Sequence, residues 1–237
     1  ENQNQELFSI LKNNSLFQLL KKSLSKNKYF NIIPFNKNLN FLKNYDLIIN
    51  TDYSNIITKK YFSKRIVKKY ECYAYTAIIK HHVIANDIAT QIFTKRGPMA
   101  FLPISNNETS VVYSIHDAKN KKKDNIGDLI RYYNFKYKIK NIQKIDSFEL
   151  KSFNLRSYYH KNILAFGDLL HRIHPLAGQG YNMTIRDIST LVDIIKNKQS
   201  LGLPIDSLVN KEFEDSIKHR NYIFSNGVDL VYEFFNF

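Results

Sequence analysis

Residues 167–182 read Gly-Asp-Leu-Leu-His-Arg-Ile-His-Pro-Leu-Ala-Gly-Gln-Gly-Tyr-Asn and gather much of the chain's potential chemistry. An apolar run, Ile163-Leu164-Ala165-Phe166, ends in Gly167-Asp168, which sets a carboxylate at the carboxyl edge of a sheet, where α/β folds bind ligands. Asp168 in that position suits a ribose-like diol. The turn Gly178-Gln179-Gly180 lets bare backbone approach a planar or phosphorylated ligand, and its N–H groups open a helix whose start attracts anions. The same residues also fit a tight strand–loop–helix connection in which the glycines serve packing. A metal site built on Asp168, His171 and His174 at i, i+3 and i+6 is a third reading, but no fourth ligand follows in sequence.

These groups need elements to hold them. Asp46-Leu47-Ile48-Ile49-Asn50 reads as a strand buried on both faces of a parallel sheet, running into Thr51-Asp52. Residues 66–117 alternate as an antiparallel sheet (Tyr70–Lys80, Ala89–Thr94, Met99–Pro103, Ser110–Ile115), with turns at Gly97-Pro98 and Asn106-Asn107. A lysine-rich loop over 118–125 leads to a helix at Asp128–Phe135. A strand pair is expected at Phe148–Ser157 and Asn162–Phe166. Tyr181, Ile185, Ile188, Leu191, Val192 and Ile195 mark the apolar face of a helix, and a last helix runs from about Ile205. Near the start, Leu7, Phe8, Leu11, Leu16, Leu19, Leu20 and Leu24 have helical spacing, with Ser15 a candidate cap and a short strand at Tyr29–Ile33.

The stretch from Gly167 resembles the second flavin-binding motif of class A FAD-dependent aromatic monooxygenases, the para-hydroxybenzoate hydroxylase type. Within them it is most similar to the ubiquinone-biosynthesis hydroxylases, whose pattern is Gly-Asp-Ala-Ala-His, then His-Pro-Leu-Ala-Gly-Gln-Gly-x-Asn, then Arg-Asp. Here Gly167, Asp168, His171, His174 through Gly180, Asn182 and Arg186-Asp187 match. Leu169-Leu170 replace the two alanines, and their bulk is expected beside the cofactor. Gly97-Pro98-Met99-Ala100-Phe101-Leu102-Pro103 resembles the family's Gly-Pro-x-Ala-x-Leu-Pro segment. Of the family's Gly-Ala-Asp-Gly tetrad only Asp52 is kept.

The resemblance implies an α+β fold: an α/β FAD-binding part, incomplete, carrying an inserted antiparallel-sheet substrate domain. The domains are expected at 1–64 (FAD-binding), 65–145 (substrate), 146–204 (FAD-binding, second flavin motif) and 205–237 (C-terminal helix). The family's opening Gly-x-Gly-x-x-Gly has no counterpart in this sequence, so a fragment of a longer enzyme, inactive alone, is expected. The resemblance further implies FAD contacts from Asp168, Gly167, Gly178, Gln179, Gly180, Asn182 and Asp52, with Pro175 and His174 nearest the reaction and no metal. It implies hydroxylation of a polyprenylated phenol in ubiquinone biosynthesis, with NAD(P)H as reductant and O₂ reacting through a flavin C4a-hydroperoxide. A flavin-free scaffold of the same fold, or a hydroxylase of a smaller phenol, are the alternatives.

Composition bounds the partners. The formal charge is +14, from 35 Lys plus Arg against 21 Asp plus Glu, yet Lys, Asn and Ile together exceed a third of the 237 residues. All three have A/T-rich codons, so codon bias accounts for the lysine without a nucleic-acid partner. Residues 160–237 hold eight basic and nine acidic side chains, so the excess falls in 1–159. A solvated loop or sheet edge is the first reading of the lysine runs and an anionic membrane surface the next, and the resemblance adds other ubiquinone-biosynthesis proteins as contacts of a cytoplasmic protein peripheral to a membrane. One cysteine, Cys72, excludes an internal disulfide, and only 7 glycines occur, three of them in residues 167–180.

Overall fold

The structure, a computed structural model, describes residues 9–35, 38–116, 125–172 and 179–234. Its elements in chain order are α1 (Asn13–Leu24), β1 (Ile48–Asn50), α2 (Ile56–Tyr61), β2 (Arg65–His81), β3 (Thr90–Thr94), β4 (Gly97–Ser105), β5 (Glu108–His116) and α3 (Ile126–Tyr133). There follow β6 (Ile139–Ile142), β7 (Asp146–Leu155), β8 (Tyr159–His160), β9 (Ile163–Ala165), β10 (His171–Arg172), α4 (Gln179–Ser200) and α5 (Ser207–Phe234). The chain forms two compact units. One holds the described residues up to Pro34 together with Glu71–Glu149, the other Phe35–Tyr70 with Leu150 onward. The division therefore falls at 70/71 and 149/150, a few residues from the 64/65 and 145/146 read from sequence, and the segment before Pro34 groups with the antiparallel sheet.

In the first unit β2, β5, β4 and β3 pair antiparallel in that order, and β6 joins the end of β2. The register sets Ala77 opposite Val111 and Tyr113 opposite both Tyr75 and Met99, so one face is continuously apolar. Ile130 of α3 and Tyr137 pack on that face with Phe101 and Ile79. His81 ends β2, and His82 follows it outside the strand. His81 is buried with Nε2 3.0 Å from Thr109 Oγ1, while His82 is exposed. Cys72 is buried and forms no disulfide.

In the second unit β1, β9 and β8 make a small sheet, parallel between β1 and β9 and antiparallel between β9 and β8. Its core joins Ile163, Leu164 and Ala165 to Leu191 and Ile194 of α4 and to Val209, Phe213 and Ile217 of α5. Asn162, in the β8–β9 turn, donates through Nδ2 to the carbonyls of Leu42 (3.0 Å) and Tyr45 (2.6 Å) and so fixes the approach to β1.

Several expectations change. Residues 29–33 form no strand, and Ile32 and Ile33 are exposed, because no neighbouring strand pairs with them. Ser15 lies inside α1, which starts at Asn13 with no side-chain cap; Leu7 and Phe8 fall outside the described residues, as does most of the 118–125 loop. Lys95-Arg96, not Gly97-Pro98, makes the β3–β4 turn. Strand β9 pairs with β1 and β8, while the end of β7 pairs with β10. Ile49 of β1 is half exposed instead of covered on both sides. Of the apolar face expected on α4, Leu191 is buried and Ile195 packs on the core, whereas Tyr181, Ile185, Ile188 and Val192 are exposed; Met183, Asp187 and Ile194 complete the buried side.

Lys161, in the two-residue β8–β9 turn, has φ of 54°, a left-handed conformation that disfavours a side chain. We expect Lys161→Gly to stabilise the protein by about 0.5–1 kcal/mol and Lys161→Val to destabilise it, read as opposite shifts of the urea midpoint.

Candidate functional site

The site is assembled at one edge of the β1–β9 pair. Asn50 lies opposite Ala165, and the Phe166 N–H donates to the Asn50 carbonyl at 2.9 Å, so both chains leave the sheet at the same carboxyl end. Asp52 follows one strand and Asp168 the other, and both are exposed. Two carboxylates from residues over a hundred positions apart thus share the edge where α/β sheets bind ligands.

The turn after β1 is held by side-chain amides. Buried Asn50 donates through Nδ2 to Thr58 Oγ1 (2.8 Å) and accepts from Asn55 Nδ2 (2.7 Å). Asn55 caps α2 by accepting the Thr58 N–H at 2.9 Å. The Thr58 hydroxyl donates in turn to the Asp52 carbonyl. The Asp52 carboxylate accepts the Ser54 N–H (2.7 Å) and the Ser54 hydroxyl (2.8 Å). The Ser54 backbone bond, followed by its hydroxyl, stabilises the ionised form and lowers the Asp52 pKa below the usual aspartate value. Asn50 and its partners were not singled out from the sequence; an Asn preceding Asp-x-Ser-Asn at the end of an apolar run is the signal that could have found them.

After β9, Gly167 has φ of +61°, and a short 3-10 turn (Gly167–Leu169) projects Asp168 outward with 78% of its side chain exposed. Its one described ion pair is with Arg172, at 3.8 Å. Leu169 and Leu170 are fully buried in the core cluster that contains Val209 and Phe213. The bulk expected beside the cofactor therefore points into the core. His171, also buried, brings Nε2 within 2.8 Å of Asp187 Oδ2, a carboxylate of α4. Helix α4 begins at Gln179. A side chain at Gly180 would meet open space, and Asn182 is exposed in the first turn. His174, Pro175 and Gly178 lie outside the described residues.

An aromatic–arginine cluster that the sequence reading did not single out flanks this edge. The Arg65 guanidinium lies 4.4 Å from the Tyr53 ring centroid and 5.7 Å from that of Phe153; Arg172 lies 5.8 Å from Phe153 on the same measure. Such contacts orient guanidinium groups without neutralising them.

The residues present suit a flavin dinucleotide. An exposed carboxylate can accept from hydroxyl groups, the helix start is open at Gly180, and the buried His171 Nδ1 has no partner among the described residues. Comparisons with known proteins agree. A family profile described as an FAD binding domain matches residues 83–198. The chain is 30% identical over 157 residues to 3-demethoxyubiquinol 3-hydroxylase of Escherichia coli (strain K12), covering 63% of this chain and 40% of that protein. It is 32% identical over 95 residues to the mitochondrial ubiquinone biosynthesis monooxygenase COQ6 of Dictyostelium discoideum, covering 40% and 19% respectively. Among solved structures, a point variant of Klebsiella pneumoniae HpxO complexed with FAD aligns with a TM-score of 0.59 at 14% identity, over 77% of this chain and 51% of that one.

The fold is therefore α+β, of the kind found in class A FAD-dependent monooxygenases. By sequence and fold together the chain is similar to those flavoproteins, and its named relatives include ubiquinone-biosynthesis hydroxylases. It spans about two-fifths of the length of the E. coli relative. Among the described residues, no helix is long and apolar enough to cross a membrane.

Because the folded-state pKa of Asp52 is depressed, its two bonds to Ser54 hold above the ordinary aspartate pKa and are lost as pH falls through the lowered value. Carboxyl-carbon NMR titration should place the Asp52 midpoint below that of a free aspartate. Ser54→Ala, which removes the hydroxyl but keeps the N–H, should move it part of the way back.

Proposed function

We propose that this chain carries the second flavin motif and the substrate-side sheet of an FAD-dependent hydroxylase acting on the aromatic ring of a polyprenylated phenol in ubiquinone biosynthesis. NAD(P)H is the reductant and O₂ the oxidant of this reading. The observation that carries it is the shared edge of β1 and β9, which presents Asp52 and Asp168 in a chain that matches an FAD binding domain and ubiquinone hydroxylases.

FAD, when bound, supplies the electron transfer and oxygen activation that no side chain provides. The residues of the chain bind and orient. Asp168, held outward by the left-handed Gly167, accepts hydrogen bonds from the hydroxyls of the ribityl chain. Gln179 and Gly180 offer backbone at the helix start, where the α4 dipole favours a ligand carrying negative charge. Asn182 is exposed in the first turn of α4. Asp52, ionised and tied to Ser54, accepts from hydroxyl or amine donors at the neighbouring strand end. Pro175, His174 and Gly178 keep the roles that the sequence resemblance implies, Pro175 and His174 on the reacting side. The antiparallel sheet of the first unit serves as the substrate domain, and the lysine-rich stretches of residues 59–144 supply positive charge toward the anionic membrane that holds a polyprenylated substrate.

The test uses the complete reading frame expressed with FAD. Purified protein should be yellow, absorbing near 450 nm (an approximate flavin value), and Asp168→Ala should weaken FAD binding by about tenfold or more. NAD(P)H oxidation should rise with a polyprenylated phenol and yield a hydroxylated product by mass spectrometry. Colourless protein that takes up no added FAD would support the flavin-free scaffold instead. Stimulation by small phenols alone would move the substrate assignment to a smaller ring.

A further inference from the structure

The second unit contains a buried charged cluster that the binding residues above do not use. Asp187, on α4, has a side chain only 1% exposed. Three neighbours face it from two other elements. His171 Nε2 of β10 lies 2.8 Å from Oδ2; Asn221 Nδ2 of α5 lies 3.4 Å from Oδ1 and 3.3 Å from Oδ2; Arg220 Nη2, also of α5, lies 3.6 Å from Oδ1. Tyr158 is also close enough for the Asp187 charge to matter: burial first, then Asp187 and Glu214, raise its hydroxyl pKa far above the ordinary tyrosine value.

A buried carboxylate can only accept, so each of these partners must present an N–H. Asn221 therefore turns its amide nitrogen toward Asp187, which leaves its carbonyl oxygen without a partner among the described residues. His171 must carry its proton on Nε2, so its neutral form holds Nδ1 as a bare acceptor. That atom too is buried and unpartnered among the described residues. His171 is one residue from the end of β10, and Asp187 lies in the third turn of α4. Their bond ties the strand entering the motif to the helix leaving it. Asn221 then ties that bond to a helix more than thirty positions further along the chain.

We propose that Asn221 and Arg220 of the C-terminal helix are positioning residues for the flavin site, acting through Asp187 on His171. This rests on the flavin reading above and extends it. Affinity for FAD is set in part by α5, whose residues lie beyond both the motif and the segment matched by the FAD-binding profile. Removing the Asn221 donor leaves Asp187 buried with one fewer hydrogen bond, and the His171–Asp187 tie is the part free to rearrange in response.

The experiment measures FAD affinity by titration of flavin fluorescence in the full-length protein, across pH 5.5 to 8.5 (an approximate span around the histidine range). Asn221→Leu is expected to weaken FAD about tenfold. Asn221→Asp places a second carboxylate beside Asp187. It should bind weakly at the alkaline end and recover at the acid end, where the pair shares a proton, as like-charged carboxylates in contact do. That pH profile is something a purely packing role would not produce. Ser225→Ala is the control: Ser225 is buried on the same helix and accepts from Asn154 Nδ2 at 3.3 Å, outside the Asp187 cluster, and its variant should bind FAD as the wild type does. If wild type binds FAD and both Asn221 variants match it at every pH, the positioning role is wrong and the flavin site stands. If Ser225→Ala weakens FAD as much as Asn221→Leu, general docking of α5 is responsible and the proposal also fails. If the wild-type protein binds no FAD, the flavin reading falls, and this proposal with it.

Discussion

The parallel pairing of β1 with β9 is the constraint on which the candidate site depends. Three residue pairs, Ile48 with Ile163, Ile49 with Leu164 and Asn50 with Ala165, bring together segments far apart in sequence and fix where each chain leaves the sheet. A slip of one residue would exchange the faces to which Ile163, Leu164 and Ala165 point and shift Asp168 along the edge relative to Asp52. The register is secured from both sides. Leu164 and Ala165 are fully buried against α4 and α5, while Asn162 clamps the chain before β1 through two carbonyls.

Around that pairing, polar groups that would be costly to bury alone are linked. Asn50, Asn55 and Thr58 close the turn after β1, and Asp187 gathers His171, Asn221 and Arg220 behind β10. Buried amides and a buried carboxylate are tolerated only when their partners are in place. The two sets differ in kind. The first is local, within nine residues, and shapes a turn. The second joins β10, α4 and α5, so it reports on the packing of the whole unit.

Legibility in the sequence followed the range of the interactions. Gly167-Asp168 could be read because strand-end chemistry is local, and the antiparallel sheet could be read because most of its strands are neighbours in sequence. Strand β9 was recognised, but its partner was not: nothing in Ile163–Ala165 distinguishes pairing with β1 from pairing with β7. The apolar stripe of α4 was assigned to the core because Tyr181, Ile185, Ile188 and Val192 are spaced for it. The structure buries Leu191 of that expected face and, beside it, Met183 and Ile194, together with the charged Asp187 that a hydrophobic pattern discounts. The role of Leu169-Leu170 turned on direction, which a substitution for alanine does not reveal; both side chains enter the core.

The interleaving of the two units has a consequence for how the chain acquires its structure. The sheet of the first unit is made mostly of hairpins between neighbouring strands, β3 with β4 and β4 with β5, contacts that form early because the loops to be closed are short. The second unit is split: β1 must wait for more than a hundred further residues before β9 exists to pair with it. During vectorial synthesis, Ile48 and Ile49 remain an unpaired apolar edge while the inserted sheet can already be forming. The segment most exposed to mispairing is thus the one that later delivers Asp52, and the window closes only when β9, α4 and α5 have been made.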